Sequence, residues 1–191
     1  MMNNNTKFIQ LLFVVETNKI VRSDNAYIVW LLKKSFAKYI NEDQCNDIFI
    51  TYDFVYMDGK TKYKAKRVID DIRCGIKTFT FGKTYVVYCL DVDTTGKENK
   101  SLIDEIHEYT KANNYYLIIS YPEIEDVMKI KIRGSKSDKV KYFLAHYPKK
   151  DFIGISSLTC PMEKVFGNIG STNFNLVIEE IINLATKKYK R

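Results

Sequence analysis

The chain has 191 residues, of which 46% are hydrophobic and 14% aromatic, and it contains only three prolines. Its length suits one domain with a sizeable core, and its composition excludes a disordered chain. Thirty Lys and Arg residues against 23 Asp and Glu give a net charge of +7, which favours an anionic partner such as nucleic acid.

The cysteines and histidines form no recognisable motif. Four Cys and two His are scattered along the chain. No two cysteines have the short spacing of a zinc or redox motif, so we expect free thiols in a reducing compartment. The apolar run FIQLLFVV at 8–15 is too short to span a bilayer. These observations predict a cytoplasmic protein that does not cross a membrane.

Strands and helices are predicted to alternate over the first 121 residues. Continuous apolar or β-branched runs indicate strands at 7–16, 47–56 and 115–121, and another strand that starts at Tyr85. Helical spacing of apolar residues indicates helices at 23–40, 62–76 and 99–114. The stripe expected to be buried on the first helix comprises Ile28, Leu31, Leu32, Phe36 and Tyr39.

This alternation predicts an α/β fold: a Rossmann-like parallel sheet of about four strands with helices on both faces. After Pro122 the pattern weakens, and 129–150 is basic and partly helical. A final amphipathic helix is indicated at 171–190, with Thr172 or Asn173 as its cap. We therefore expect one domain over 1–191. Its core would span 7–121, and 122–191 would form a basic loop and a C-terminal helical extension.

Two of the predicted strands end in acidic residues. Glu16 ends the first strand, and Asp91 and Asp93 end the third, within DVDTTG. Ligands of open parallel sheets bind at the carboxyl ends of the strands. Carboxylates that lie close together repel one another, and a hard divalent cation with oxygen ligands would resolve that repulsion. The alternative is ordinary turn chemistry, in which Asp and Gly are common.

The sequence over about 7–121 resembles the Toprim domain. Two features carry the resemblance: the glutamate that ends the first strand, and the Asp-x-Asp-x-x-Gly that ends the third. The compact layout is most similar to the RloB-like family of bacterial defence-associated proteins. In that family the last strand leads into an Asn-Pro-aromatic-Glu element, which SYPEIEDVM at 120–128 resembles. The family usually has Gly after the first-strand glutamate, whereas Thr17 follows Glu16 here.

The resemblance implies a metal-dependent nuclease that acts on DNA or RNA in anti-phage or restriction-linked defence. Nucleases of this type often act with an ATPase partner protein. It also implies that Glu16, Asp91 and Asp93 are catalytic and coordinate Mg²⁺ or Mn²⁺ at the scissile phosphate. Glu16 alternatively serves as general acid or base. Glu123 and Glu125 follow the fourth strand at the same edge and would complete a second metal site, or else form a solvated acidic turn.

Basic residues near that edge are candidates for phosphate contacts, although lysines beside a loop are usually only solvated surface. Lys19 and Arg22 follow the first strand, and Lys97 and Lys100 follow the aspartates. A denser basic run, interleaved with Tyr142 and Phe143, predicts a nucleic-acid track. Its members are Lys129, Lys131, Arg133, Lys136, Lys139 and Lys141.

Two other functions stay open. A receiver-like phosphoacceptor domain fits less well, because it would carry a lone aspartate after the third strand and an acidic pair after the first. A Toprim-like module without catalytic activity, which binds nucleic acid or a partner protein, is the stronger alternative. No ATP-binding loop is expected, because GNIGST at 167–172 lacks the lysine that a phosphate loop needs.

Overall fold

The computed structural model describes residues 7–20, 22–40, 48–92, 97–147 and 155–187. The strands are β1 (Lys7–Val15), β2 (Ile48–Tyr56), β3 (Gly82–Asp91), β4 (Tyr116–Tyr121) and β5 (Ser171–Thr172). The longer helices are α1 (Ser23–Ile40), α2 (Lys66–Thr78), α3 (Lys97–Ala112), α5 (Lys136–His146) and α8 (Phe174–Lys187). Shorter elements lie between them: α4 (Ile124–Val127), α6 (Ile155–Leu158), α7 (Met162–Val165) and a turn of 3-10 helix at Lys60–Lys62.

The strands form one sheet in the order β2-β1-β3-β4-β5. The first four strands are parallel, and β5 is antiparallel to β4. The predicted α/β class and parallel sheet are therefore confirmed. At the start of β3, a Cβ atom on Gly82 would lie 1.8 Å from the carbonyl oxygen of Phe8, so only glycine allows this approach to β1.

Helices cover both faces of the sheet, and the alternation of side chains along each strand divides the core in two. Leu11 and Phe13 of β1 face α1, α5 and α8, whereas Leu12 and Val14 face α2 and α3. The predicted stripe on α1 is buried at four of its five positions, and Tyr39 is half-buried. None of the helices within the described part of the chain is long and apolar enough to cross a membrane.

The segment after Pro122 contributes to the sheet as well as to the helices. Asn173, predicted as a helix cap, directly precedes α8, and its side chain binds the backbone of β4. Its Oδ1 accepts from the Ile119 N–H at 2.8 Å, and its Nδ2 donates to the Leu117 carbonyl at 3.0 Å. This side chain thereby extends the pairing that β5 begins. The sequence prediction missed β5 because a strand of two residues has no periodicity to detect.

Within the basic segment, a loop leads into a capped helix, α5. Ile130 and Ile132 pack into the core beside α1. Ser135 and Asp138 form a capping box, with the Asp138 N–H donating to Ser135 Oγ at 3.2 Å and the Ser135 N–H donating to Asp138 Oδ2 at 3.0 Å. The expectation that Phe143 lines a nucleic-acid track is wrong, because Phe143 is fully buried against Tyr27 and Trp30.

Candidate active site at the carboxyl edge of the sheet

The site lies where the strand order reverses. From β1 the chain passes to β2 on one side of β1, and then returns to β3 on the other. A crevice between the carboxyl ends of β1 and β3 is the usual ligand site of doubly wound sheets with this strand order. Glu16 directly follows β1, and Asp91 is the last residue of β3. The topology therefore places both predicted acids on adjacent strand ends.

Glu16 is held against the end of β3 by a direct hydrogen bond. The backbone N–H of Asp91 donates to Glu16 Oε1 at 2.8 Å. The main chain of Glu16 is fixed separately, because its carbonyl oxygen accepts from the N–H of Gly59 at 2.8 Å in the turn after β2. The Glu16 carboxylate is thus positioned by two neighbouring strands.

Asp91 is the most strongly perturbed acid at this edge. Its Oδ1 accepts from the N–H of Ile124 at 2.8 Å, and its Oδ2 lies 4.0 Å from Nζ of Lys136. Burial raises the pKa of Asp91 well above its usual value, and repulsion from Asp24 and Glu16 adds to this shift. A buried carboxyl group among other acids favours either protonation or a bound cation.

Asp24 belongs to the same cluster, although the sequence analysis gave it no role at the site. It lies in the first turn of α1 and is 6% exposed. The Ser23 hydroxyl donates to Asp24 Oδ1 at 3.1 Å. Burial raises the pKa of Asp24, and the nearby Lys136 ammonium opposes that rise. The available signal was its place in the chain, because a helix that follows a parallel strand starts at the carboxyl edge of the sheet.

The two glutamates after β4 occupy different environments. Glu125 in α4 is 2% exposed, and neither of its carboxylate oxygens has a hydrogen-bond partner. Burial raises the pKa of Glu125, while Lys136 and Lys139 act in the opposite direction. Glu123 is partly exposed and forms an ion pair with Lys139, with 3.5 Å between Glu123 Oε2 and Lys139 Nζ. Glu125 therefore lies within the buried cluster, and Glu123 lies on its rim.

Lys136, at the start of α5, balances part of this negative charge. Burial by itself would lower the pKa of Lys136, but the attraction of Asp91, Asp24 and Glu125 raises it above its usual value. Tyr27, which the sequence analysis also missed as a site residue, is fully buried with an unpartnered hydroxyl. Burial raises the pKa of Tyr27, and the same three acids add to that shift.

The space beneath the carboxylates is small and mostly apolar. A cavity of about 10 Å³ lies between α1 and the sheet and is lined by Asp24, Asp91, Leu31, Cys89, Ile118 and Phe174, among others. That volume accommodates about one water molecule. A nucleotide cannot enter it, so a nucleic-acid substrate must reach the acids from outside the sheet edge.

The donor set is suited in kind to Mg²⁺ or Mn²⁺, because it consists of carboxylates. Coordination would satisfy the orphaned oxygens of Glu125. No group of three or more His, Cys, Asp or Glu side chains in the described ranges is arranged to hold a metal ion. Asp93, a member of the predicted set, lies outside the described residues.

The predicted phosphate-binding residues occupy three different settings. Lys19 and Arg22 are exposed between β1 and α1, where Arg22 Nε donates to the Lys19 carbonyl at 2.7 Å. Lys97 is the first residue of α3, and Lys100 is exposed one turn later. The predicted track is divided, because Lys136 and Lys139 engage acids of the site. Its remaining members, Lys129, Lys131, Arg133 and Lys141, are exposed.

Comparison with known proteins finds no matching family model and no significant match among curated proteins.

Proposed function

We propose that this protein is a metal-dependent nuclease that hydrolyses phosphodiester bonds of DNA or RNA. The observation that carries this proposal is the hydrogen bond between Glu16 Oε1 and the Asp91 N–H, 2.8 Å long, at the reversal point of the sheet. It unites the two strand-end acids on which the Toprim resemblance rests. Buried carboxylates with raised pKa values at this edge support a site that attracts a cation.

In this proposal Glu16, Asp91, Asp93 and Glu125 hold Mg²⁺ or Mn²⁺, which supplies Lewis-acid stabilisation of the charge on the scissile phosphate. As the alternative to holding the metal, Glu16 would act as the general base that takes a proton from the attacking water, or as the general acid that gives a proton to the leaving oxygen. The hydrogen bond from the Asp91 N–H orients the Glu16 carboxylate, and the hydrogen bond from the Ile124 N–H orients Asp91. Asp24 adds negative charge from α1 and thereby strengthens the attraction for a cation.

The biological setting follows from the resemblance alone. We propose a role in anti-phage or restriction-linked defence, in the cytoplasm and together with an ATPase partner protein. The sheet supports the resemblance only at the level of a doubly wound α/β fold, which hosts many functions. The chemistry of the site therefore carries more weight than the fold.

A module without catalytic activity is the second candidate, and one contact favours it. Lys136 Nζ lies 4.0 Å from Asp91 Oδ2 and supplies a permanent positive charge beside the carboxylate that a nuclease would use for metal. Thr17 in place of the glycine usual after the Toprim glutamate agrees with this reading. Such a module would bind nucleic acid or a protein without requiring a divalent cation.

Cleavage assays on labelled DNA and RNA, single-stranded and duplex, separate the two candidates. The nuclease proposal expects cleavage with Mg²⁺ or Mn²⁺ and none with EDTA or in the Asp91→Asn variant. That variant keeps an oxygen that can accept from the Ile124 N–H, so its fold is retained. The chain is assayed as the isolated protein and together with any ATPase that co-purifies with it. Absence of metal-dependent cleavage under both conditions would favour the module without activity.

A further inference from the structure

Two aromatic rings are stacked on the exposed side of α5, close to the acidic site. The Tyr142 and His146 ring centroids are 4.3 Å apart, with 23° between the ring planes. His146 Nδ1 lies 2.8 Å from the Tyr142 carbonyl oxygen, which only accepts, so Nδ1 carries the hydrogen. This hydrogen bond fixes the imidazole against the phenol ring. Tyr142 is 37% exposed, and His146 is exposed. The pair therefore presents a preformed aromatic surface.

A row of positive charges approaches the same side of the helix. Lys129, Lys131 and Arg133 are exposed at alternating positions, while the two isoleucines between them are directed into the core. Because the exposed positions alternate with these inward-directed isoleucines, the three cations lie on the solvent side of the loop and form one row. The segment then passes Gly134, whose Cβ position lies 3.1 Å from Cβ of Asp138. Asp138 is one helical turn before Tyr142, so the row ends beside the side of α5 that carries the rings.

The helix also connects these rings to the acids. Its first residue, Lys136, reaches Asp91, and Lys139 reaches Glu123. Tyr142 follows Lys136 by six positions, which is about 9 Å along the helix axis. At about 3.4 Å per nucleotide, two or three nucleotides cover this distance. Six positions also rotate the side-chain direction by about 240°. A strand bound on the rings would therefore pass along and around α5 to reach the sheet edge.

We infer that the row of Lys129, Lys131 and Arg133, together with the Tyr142–His146 stack, binds single-stranded nucleic acid and delivers it to the acidic site. The inference relies on the proposed function for its choice of partner. Aromatic platforms beside basic tracks suit single strands, because an unpaired base has a free face to stack on a ring. Bases within a duplex are already stacked on their neighbours, so their faces are not available.

Fluorescence anisotropy with a short labelled oligothymidylate or oligouridylate in EDTA tests this inference without cleavage. We expect the full-length protein to bind the single strand more tightly than a duplex of equal length. The Tyr142→Ala variant should bind the single strand about tenfold more weakly, which corresponds to one lost stacking contact. Tyr142→Phe, which keeps a ring, should bind like the wild type. Leu144→Ala is the matched control, because Leu144 is exposed on another side of the same helix.

Fluorescence of Trp30, the only tryptophan, reports whether α5 remains docked, because Trp30 contacts Phe143 and Tyr147. A second measurement needs no variant: photo-crosslinking of a bromouridine strand to the wild type should label the peptide that contains Tyr142. Unchanged affinity of a folded Tyr142→Ala variant, a label elsewhere, or a preference for duplex would overturn the inference. Any of these results would leave the nuclease proposal standing if metal-dependent cleavage is observed. Binding through Tyr142 without any cleavage would overturn only the nuclease proposal.

Discussion

Lys136, the first residue of α5, reaches Asp91, the last residue of β3, with 4.0 Å between Nζ and Oδ2. This contact brings one ammonium group into a cluster that also contains the carboxyl groups of Asp24 and Glu125. One positive charge does not balance several ionised acids. Burial raises the pKa values of Asp24, Asp91 and Glu125, and the Lys136 ammonium opposes these shifts without cancelling them.

A divalent cation should relieve this imbalance and stabilise the fold. We expect the melting temperature to rise with Mn²⁺ concentration. At roughly a hundred times the dissociation constant, the free energy of unfolding should increase by about 2.7 kcal/mol. The Asp91→Asn variant should fold but show no such rise. Asp93→Ala should behave in the same way. Equal stabilisation of wild type and Asp91→Asn in differential scanning fluorimetry would remove Asp91 from the metal site.

Glu16→Gln separates an enzyme from a module that only binds. The substituted side chain retains an oxygen that accepts from the Asp91 N–H, so folding and nucleic-acid binding should be preserved. Metal-dependent cleavage should fall about a hundredfold or more, as is typical when a positioned acid or base is lost. Glu108→Gln, on the exposed side of α3, is the control and should cut at the wild-type rate. Equal rates for all three proteins would show that Glu16 is only structural.

Phosphate contacts by the exposed basic row should make binding dependent on salt. Replacing Lys131 and Arg133 with Gln should reduce the magnitude of the slope of log affinity against log salt concentration. The reduction should be about 1.4 for a single strand, since each phosphate contact contributes roughly 0.7. Lys66→Gln with Lys77→Gln on α2 removes the same charge from exposed positions on the opposite face of the sheet. That control should leave the slope unchanged. If both double variants flatten it equally, net charge rather than a defined contact governs binding.

Asn173 should be a main determinant of stability in the C-terminal segment. Its carboxamide makes two buried hydrogen bonds with β4, and Asn173→Ala leaves the Ile119 N–H and the Leu117 carbonyl without those partners. We expect a loss of about 2 kcal/mol or more in the free energy of unfolding. Asn183→Ala, on the exposed side of α8, should change it by less than about 0.5 kcal/mol. Urea denaturation measures both, and equal losses would refute this role for Asn173.

Glu105 provides a test of pH dependence away from the acidic site. Its carboxylate accepts from Lys64 Nζ at 2.8 Å and from the Tyr63 hydroxyl, and these hydrogen bonds lower the pKa of Glu105 below its usual 4.5. The stabilisation is therefore present above about pH 4.5 and is lost as the pH falls through the folded-state pKa. Wild type should exceed Glu105→Gln in melting temperature at neutral pH, and the difference should shrink on acidification. A difference that grows at low pH would contradict this.

The sequence by itself determined the order and type of the main elements. Apolar runs such as 7–16 and the stripe from Ile28 to Phe36 are local patterns. They follow directly from the side-chain periods of a strand and a helix. The acids that follow strands, Glu16 and Asp91, were also visible, because a strand end is a local feature. The carboxyl edge could be assigned to them as soon as the sheet was predicted to be parallel.

Only the tertiary structure brought Asp24 and Lys136 to Asp91, distinguished buried Glu125 from Glu123 on the rim, and placed Phe143 in the core. These residues belong to separate helices, and their convergence depends on how α1, α4 and α5 pack against one face of the sheet. Such contacts join residues far apart in the chain, so no local period records them. The pairing of Asn173 with β4 was also invisible in the sequence. Its side chain, rather than a strand backbone, binds β4, so no strand pattern marks the contact.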